Sequence, residues 1–135
     1  MLETKKEHVL NHQKVLVVED DETLEIVMDR IFQSIDSSIT YKWVITAEKA
    51  IAELQTAHYD LVVADFSLQG KGTGLDLWEF CQERFPEKPF VMISSLGIDQ
   101  FFKLVGDYRI SPLFLPKPFY TGECRQVVGH LLEQA

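Results

Sequence analysis

The sequence has little of what marks exported or membrane-spanning proteins. Cys81 and Cys124 are the only cysteines, too few for a disulfide framework, and their apolar helical positions predict buried thiols. No apolar run is longer than about four residues, which excludes a membrane-spanning segment. Residues 1–13 lack the apolar core of a signal peptide, so elimination predicts a cytoplasmic chain with no membrane partner.

Positive charge is also scarce. The chain has 13 Lys and Arg residues against 21 Asp and Glu residues, a formal net charge of -8. This balance repels phosphate backbones, so the chain is not expected to bind nucleic acid by itself. The histidines have no metal-binding spacing and are predicted at the surface: His8, His12, His58 and His130. The acidity fits a solvated surface, and it also fits a carboxylate cluster that holds a cation; both explanations stay open.

What the sequence does have is a regular alternation of apolar runs and helical stripes. At 135 residues it has room for one compact domain, predicted over 14–135 after an N-terminal extension over 1–13. Short apolar runs predict strands at 14–19, 39–45, 61–64, 90–93 and 113–115. Apolar residues at helical spacing predict helices within 24–35, 47–54, 75–85, 98–105 and 124–132. Five βα units with short connections predict an α/β fold, a five-stranded parallel sheet with helices on both faces.

Polar residues stand directly after four of the five predicted strands. They are Glu19, Asp20 and Asp21 after the first, Asp65 after the third, Ser94 and Ser95 after the fourth, and Lys117 after the fifth. In an open parallel sheet, ligands bind outside the carboxyl ends of the strands, where these residues meet. One polar residue at a strand end means little, but acids, hydroxyls and a lysine together predict a shared site.

The residue types in this set indicate a particular chemistry. Carboxylates a few ångströms apart repel one another, and one of them stays protonated unless a cation intervenes. Oxygen ligands on loops, with no histidine or thiolate nearby in the sequence, favour Mg²⁺ over zinc. The pattern therefore predicts metal-assisted phosphoryl transfer, with Asp65 as nucleophile, Lys117 and the metal neutralising charge, and Ser94 donating to a phosphoryl oxygen.

From about Lys14 to Leu132 the chain resembles the response-regulator receiver domain of two-component signalling, of the chemotaxis-regulator type. The likeness rests on four motifs: VLVVEDDE, aligned on Glu19 and Asp20 rather than on Asp20 and Asp21; LVVAD, ending at Asp65; VMISS, with Ser94 at the hydroxyl position; and FLPKPF around Lys117. The resemblance implies a flavodoxin-like (βα)5 fold with strand order 2-1-3-4-5. It also implies a cis peptide after Lys117.

The resemblance assigns roles around the acceptor. Asp65 is expected to take a phosphoryl group from a phosphohistidine of a sensor histidine kinase or a histidine phosphotransfer protein. Mg²⁺ is expected to bind the side chains of Asp20 and Asp65, Glu19 directly or through water, and the carbonyl of Ser67. Lys117 is expected to pair with the phosphoryl group.

The resemblance also assigns a switch and a readout. Ser94 is expected to move towards the phosphoryl group, and Phe114 is expected to change rotamer with it, although Phe114 fits equally well as a plain core aromatic. The chain is then no enzyme, beyond catalysing its own phosphorylation and dephosphorylation. No output domain is expected after the last helix, so a stand-alone regulator or an excised receiver is expected to signal to an unidentified protein by contact. In this family the target usually binds the face formed by the fourth helix, the fifth strand and the fifth helix. The aromatic residues near this face are Phe101, Phe102, Tyr108 and Tyr120.

The chain departs from the usual receiver pattern beside the acceptor. Gln69 stands where a proline is common, and the loop that ends at Gly74 is one residue longer than usual. Because this loop helps to position the Ser67 carbonyl, both differences affect the expected metal-binding role of Ser67. Ser95 replaces a small alanine or glycine and is expected to narrow access to the acyl phosphate. Leu96, like Ser67, lies at a position that tunes autodephosphorylation. An apolar side chain there is expected to hinder the attacking water and prolong the signal.

Other functions fit the sequence less well. The loop over 70–74 matches neither the dinucleotide-binding nor the P-loop fingerprint and follows the third strand, so a flexible loop is predicted. A haloacid-dehalogenase-type phosphatase needs a second aspartate two residues after its nucleophile, where this chain has Ser67. The open alternative is a scaffold that keeps the receiver fold and binds partners without phosphorylation.

Overall fold

The computed structural model describes residues 12–68, 72–96, 98–105 and 112–134. Five strands run over Lys14–Val18 (β1), Thr40–Val44 (β2), Leu61–Asp65 (β3), Phe90–Ser94 (β4) and Leu113–Pro116 (β5). The helices in these ranges are Thr23–Ile35 (α1), Ala47–Thr56 (α2), Gly74–Arg84 (α3), Ile98–Val105 (α4) and Thr121–Gln134 (α5). The predicted alternation of strands and helices is confirmed, with bounds that differ by at most three residues.

The strands form one parallel sheet in the order β2-β1-β3-β4-β5. The chain reverses its direction of travel across the sheet at β1 and β3, so a crevice opens between the carboxyl ends of these strands. Val18 is in register with Ala64, and Ser94 with Pro116. The residues that follow β1, β3, β4 and β5 therefore reach the same edge of the sheet.

Two apolar cores lie on opposite faces of the sheet. Alternate residues of the central strands, such as Leu16 and Val62, face one core with the buried side chains of α2 and α3. Their neighbours, such as Val15 and Val63, face the other core with those of α1 and α5. A strand buried on both faces is apolar at every position, which is why short continuous runs identified the central strands. The predicted helices on both faces are confirmed.

The edge strands and the helix orientation refine the sequence prediction. β2 and β5 are the two edge strands of the sheet, and Leu113 of β5 is 51% exposed. In α3, Leu77 is fully buried, whereas Leu75, the first residue of the apolar stripe that predicted this helix, is only partly buried. Cys81 and Cys124 are both buried, as predicted, and desolvation raises the pKa of each thiol to about 12.

Some predictions fall outside the described residues. They concern His8 and the rest of residues 1–11, the part of the glycine-rich loop over 69–71, and Tyr108. The side chain of Phe101 also lies outside the described part of the chain. The other three histidines are exposed, as predicted: His12, His58 and His130. None of the helices in the described ranges has the length and apolar character needed to span a membrane.

Candidate functional site

Three carboxylates converge at the carboxyl edge of the sheet. Glu19 directly follows β1, and its backbone N–H donates to the Val44 carbonyl at 3.0 Å, which holds it in line with the sheet. Asp65 is the last residue of β3. Glu19 is fully buried, Asp65 is 5% exposed, and Asp20 is partly exposed. One carboxylate oxygen from each of the three lies within 4.8 Å of the others, so the predicted cluster forms.

Lys117 brings a positive charge into this cluster. Its Nζ lies 2.6 Å from Glu19 Oε1 and 3.1 Å from Asp65 Oδ2. Its backbone N–H donates to the Ser94 carbonyl at 2.7 Å, so β4 fixes where the lysine leaves β5. The peptide bond between Lys117 and Pro118 is cis, as expected from the resemblance.

One lysine faces three carboxylates, and this imbalance favours a further cation. Burial strengthens the repulsion between carboxylates because little water screens them. Carboxylate oxygens from two adjacent strand ends are ligands suited to Mg²⁺, which prefers hard oxygen donors and keeps several waters. The donor set of Glu19, Asp20 and Asp65 therefore fits the predicted ion in both charge and ligand type.

Asp65 has its two carboxylate oxygens in different surroundings. Oδ2 accepts from Lys117 Nζ, whereas Oδ1 accepts from the Ser67 backbone N–H at 3.3 Å. The backbone after Asp65 is held on both sides, since Phe66 donates to the Ile93 carbonyl at 2.8 Å and accepts from the Gly74 N–H at 2.9 Å. The acceptor carboxylate is thus placed by a well-anchored strand end. The role of the Ser67 carbonyl in metal binding stays a prediction.

Ser94 and Phe114 lie on the neighbouring strands β4 and β5. Ser94 ends β4, is 1% exposed, and its Oγ accepts from the Leu96 backbone N–H at 3.0 Å. Phe114 pairs in register with Met92 and packs, partly buried, against the core that also holds α2 and α3. Both the switch interpretation and the core interpretation of Phe114 remain predictions. Ser95 is exposed, and Leu96 is partly buried.

Two contacts that support the site were not predicted from the sequence, one made by Gly74 and one by the Asp21 backbone. Gly74 begins α3, and a Cβ on it would lie 2.2 Å from the Asp65 carbonyl oxygen. Thr73 and Asp76 form a capping box that fixes this helix start. Asp21 also supports the site, because its backbone N–H donates to Glu19 Oε2 at 3.0 Å. The T-x-x-D pattern gave a usable signal for the cap, but no local pattern reveals the contact between Gly74 and Asp65.

The buried Glu19 gives the site a pH dependence. Desolvation raises the pKa of Glu19 to about 7, against the opposing effects of Lys117 and the Asp21 N–H. A folded-state pKa above the unfolded value of 4.5 means that this group stabilises the fold below about pH 4.5. That contribution is lost as the pH rises through about 7. The same proton must leave before Glu19 can hold a cation.

Glu19→Gln is therefore expected to remove part of the pH dependence of folding stability. In wild type without metal, the Glu19 contribution to the free energy of unfolding should fall by about 1–3 kcal/mol between pH 5 and 8. Urea denaturation at several pH values measures this, with the exposed Glu79→Gln as the control that should leave the slope unchanged. A slope in Glu19→Gln equal to that of wild type would contradict the assignment.

Comparison with known proteins identifies relatives of this chain. Residues 15–128 match the family model described as the response regulator receiver domain. The response regulator protein PilR of Pseudomonas aeruginosa is 30% identical over 128 residues. The alignment covers 91% of this chain and 27% of PilR, so this chain spans little more than a quarter of that relative.

Solved structures share the fold over nearly the whole chain. The non-phosphorylated HemR receiver domain from Leptospira biflexa is 26% identical, with a TM-score of 0.73, covering 89% of this chain and 94% of that one. A response regulator receiver protein from Sinorhizobium medicae is 24% identical, with a TM-score of 0.76, covering 91% and 96%. The second likeness, at its lower identity, shows the fold alone.

Proposed function

Because this chain belongs to the response regulator receiver domain family, we propose that it is a phospho-acceptor switch of a two-component system with Asp65 as the acceptor. The observation that carries the proposal is the position of Asp65. Its carboxylate lies within 4.8 Å of two further carboxylates and 3.1 Å from Lys117. A nucleophile held beside a cation and a metal-binding acid pair is what phosphoryl transfer requires.

The chemical step forms one bond and breaks one. A carboxylate oxygen of Asp65 attacks phosphorus, and the bond from phosphorus to the imidazole nitrogen of a kinase or phosphotransfer protein breaks. The electron pair leaves with the imidazole, and the product is an aspartyl phosphate. Lys117 Nζ, which donates to Asp65 Oδ2, stays beside the oxygens on which negative charge accumulates.

The acidic residues beside Asp65 would hold the cation that balances this negative charge. Asp20 and Asp65 would hold Mg²⁺ through their side chains, Glu19 directly or through water, and Ser67 through its carbonyl. When bound, the ion supplies positive charge that balances the carboxylates and the incoming phosphoryl oxygens. Glu19 also orients Lys117, since the two side chains lie 2.6 Å apart.

The signal would leave the site through Ser94 and the strands beside it. Ser94 Oγ would turn from the Leu96 N–H to a phosphoryl oxygen, and Phe114 on the neighbouring strand would follow. The strand β5 is linked to Ser94 by the hydrogen bond from the Lys117 N–H to the Ser94 carbonyl. Leu113 and Tyr120, 51% and 83% exposed, lie on the face where a target protein would read the change.

A phosphorylation assay tests the proposal. The protein is incubated with acetyl phosphate and Mg²⁺, and separately with beryllofluoride and Mg²⁺, and the adduct is followed by intact mass and amide NMR. The expected result is an adduct that forms only with Mg²⁺ and shifts the amide resonances of residues around Asp65, Ser94 and Lys117. If no adduct forms and partner binding is the same in Asp65→Asn, the chain is a phosphorylation-independent scaffold.

Leu96→Glu is expected to shorten the lifetime of the phosphoryl group. The partly buried Leu96 lies two residues after Ser94, and an apolar side chain there cannot orient a water for attack on phosphorus. A carboxylate at this position should speed hydrolysis by about tenfold, since positioned acid–base groups contribute at least that much. The measurement is the decay of phosphoprotein after acetyl phosphate is removed. Leu96→Met should decay at the wild-type rate, and equal or slower decay in Leu96→Glu would rule out this role.

A further inference from the structure

The loop between β3 and α3 is held by a side chain from a helix outside it. This β3–α3 loop, residues 66–73, follows the acceptor Asp65 and contains Ser67, the expected source of a metal-binding carbonyl. Glu48 lies in the first turn of α2, 24 positions before Gly72. Its Oε1 accepts from the Gly72 backbone N–H at 3.1 Å. A carboxylate on α2 therefore contacts the backbone of the loop that leaves the acceptor.

Three successive backbone N–H groups where this loop enters α3 each have an acceptor; they belong to Gly72, Thr73 and Gly74. The second donates to Asp76 Oδ2 at 2.8 Å, and the third donates to the Phe66 carbonyl at 2.9 Å. Those two acceptors lie in α3 and in the loop itself. Of the three bonds, the one to Glu48 is thus the bond that fixes the loop relative to α2.

The loop also packs directly against α2. A Cβ on Gly72 would lie 3.1 Å from the Cβ of Ala47, which is 1% exposed, so the loop backbone touches the first turn of this helix. Nearer the acceptor, Phe66 and Leu68 pack, partly buried, against the core that α2 and α3 line. Ser67 lies between these two residues. Its position therefore depends on contacts with α2 at both ends of the loop.

The sequence of the loop supplies few constraints of its own. Gln69 stands where a receiver domain commonly has proline, and positions 70, 72 and 74 are glycine. Proline restricts the backbone and glycine frees it, so this loop loses more conformational entropy when it is ordered. The hydrogen bond to Glu48 offsets part of that cost, because it forms only when the loop lies against α2.

We propose that Glu48 is a positioning residue for the cation at Asp65, because it holds the β3–α3 loop where the Ser67 carbonyl can reach the ion. The inference rests on the proposed function, since it concerns the Mg²⁺ of the phosphoryl-transfer site. Glu48 is not one of the three clustered carboxylates, so it acts through the Gly72 N–H and the loop backbone. Loss of this bond should weaken Mg²⁺ binding and leave the acceptor in place.

Titration of the unphosphorylated chain with MgCl₂, followed by calorimetry, tests the proposal. Glu48→Ala should weaken Mg²⁺ binding by about three- to tenfold, the loss that one hydrogen bond implies. Glu48→Gln should bind within about twofold of wild type, because its amide oxygen can still accept from Gly72. Both variants remove the same charge from the start of α2, so their difference reports the hydrogen bond. Glu83→Ala, at an exposed position of α3, should bind as wild type.

Two further measurements separate positioning from a general loss of stability. Without metal, the Gly72 amide should exchange its hydrogen several-fold faster in Glu48→Ala than in wild type, whereas Glu48→Gln should keep its protection. With acetyl phosphate, Glu48→Ala should need about three- to tenfold more Mg²⁺ to reach half its maximal rate. At saturating Mg²⁺ that maximal rate should equal the wild-type rate, because Asp65 and Lys117 are unchanged.

Three results would overturn the positioning role alone. They are wild-type Mg²⁺ affinity in Glu48→Ala, equally weak binding by Glu48→Ala and Glu48→Gln, and unchanged exchange of the Gly72 amide in Glu48→Ala. In each case the wild type would still bind Mg²⁺, and the proposed function would stand. A wild-type chain that binds no Mg²⁺ and forms no phosphoryl adduct would instead overturn the proposed function, and the role of Glu48 with it.

Discussion

Asp65→Asn is expected to abolish phosphorylation by acetyl phosphate, lowering the initial rate by at least about a thousandfold, as removal of a catalytic nucleophile does. The amide retains the shape of the side chain but has no carboxylate oxygen to attack phosphorus. It also removes one of the three charges that would hold Mg²⁺, so metal affinity should fall as well. Incorporation of phosphate, measured by intact mass over time, provides the rate.

The control for this substitution is Asp99→Asn, the same chemical change at an exposed position in the first turn of α4. It should be phosphorylated at the wild-type rate. Circular dichroism should show that both variants are folded, because removing a buried charge at Asp65 relieves repulsion with Glu19. Phosphorylation of Asp65→Asn at a rate close to that of wild type would mean that the acceptor is another residue.

Gly74→Ala is expected to destabilise the fold by about 3 kcal/mol or more, the upper part of the range for overpacked sites. A Cβ at this position would lie 2.2 Å from the Asp65 carbonyl oxygen, 2.9 Å from its carbonyl carbon and 2.9 Å from Met92 Sδ. Met92 can move, but the backbone at the end of β3 cannot move without disturbing the acceptor. Urea denaturation followed by circular dichroism measures the loss.

Gly122→Ala is the matched control for Gly74→Ala. Gly122 lies in the first turn of α5, as Gly74 does in α3, yet a Cβ there would meet nothing within 4 Å. Alanine should therefore stabilise the chain by up to about 1 kcal/mol, through helix propensity alone. Equal stability of the two variants would mean that the close approach of Gly74 to Asp65 does not occur in solution.

The sheet could be predicted because a strand that is buried on both faces is apolar at every position. Val15–Val18 and Leu61–Ala64 are apolar without interruption, and the polar residues that follow them, Glu19 and Asp65, identify the carboxyl edge. Once the strands are known to be parallel, the convergence of Glu19, Asp65 and Lys117 follows from geometry. The family resemblance supplied the strand order and the cis peptide, and both are confirmed.

Other features depend on contacts that local patterns do not contain. The exposure of Leu113 follows from the edge position of β5, which is a property of the whole sheet. The burial of Leu77 in place of Leu75 depends on how α3 is rotated against the sheet. The close approach of Gly74 to Asp65 depends on a loop that folds back on the strand before it. The short contact between Lys117 and Glu19 likewise depends on the depth at which Glu19 is buried.

The central claim is that Asp65 is the phospho-acceptor, and it is tested most directly by identifying the residue that carries the phosphoryl group. Borohydride reduces an aspartyl phosphate to homoserine, so peptide mass spectrometry after treatment with acetyl phosphate, Mg²⁺ and borohydride identifies the acceptor. The prediction is homoserine at position 65 and aspartate at position 20, with no conversion when Mg²⁺ is chelated. Conversion at another position, or phosphate incorporation without conversion of Asp65, would contradict it.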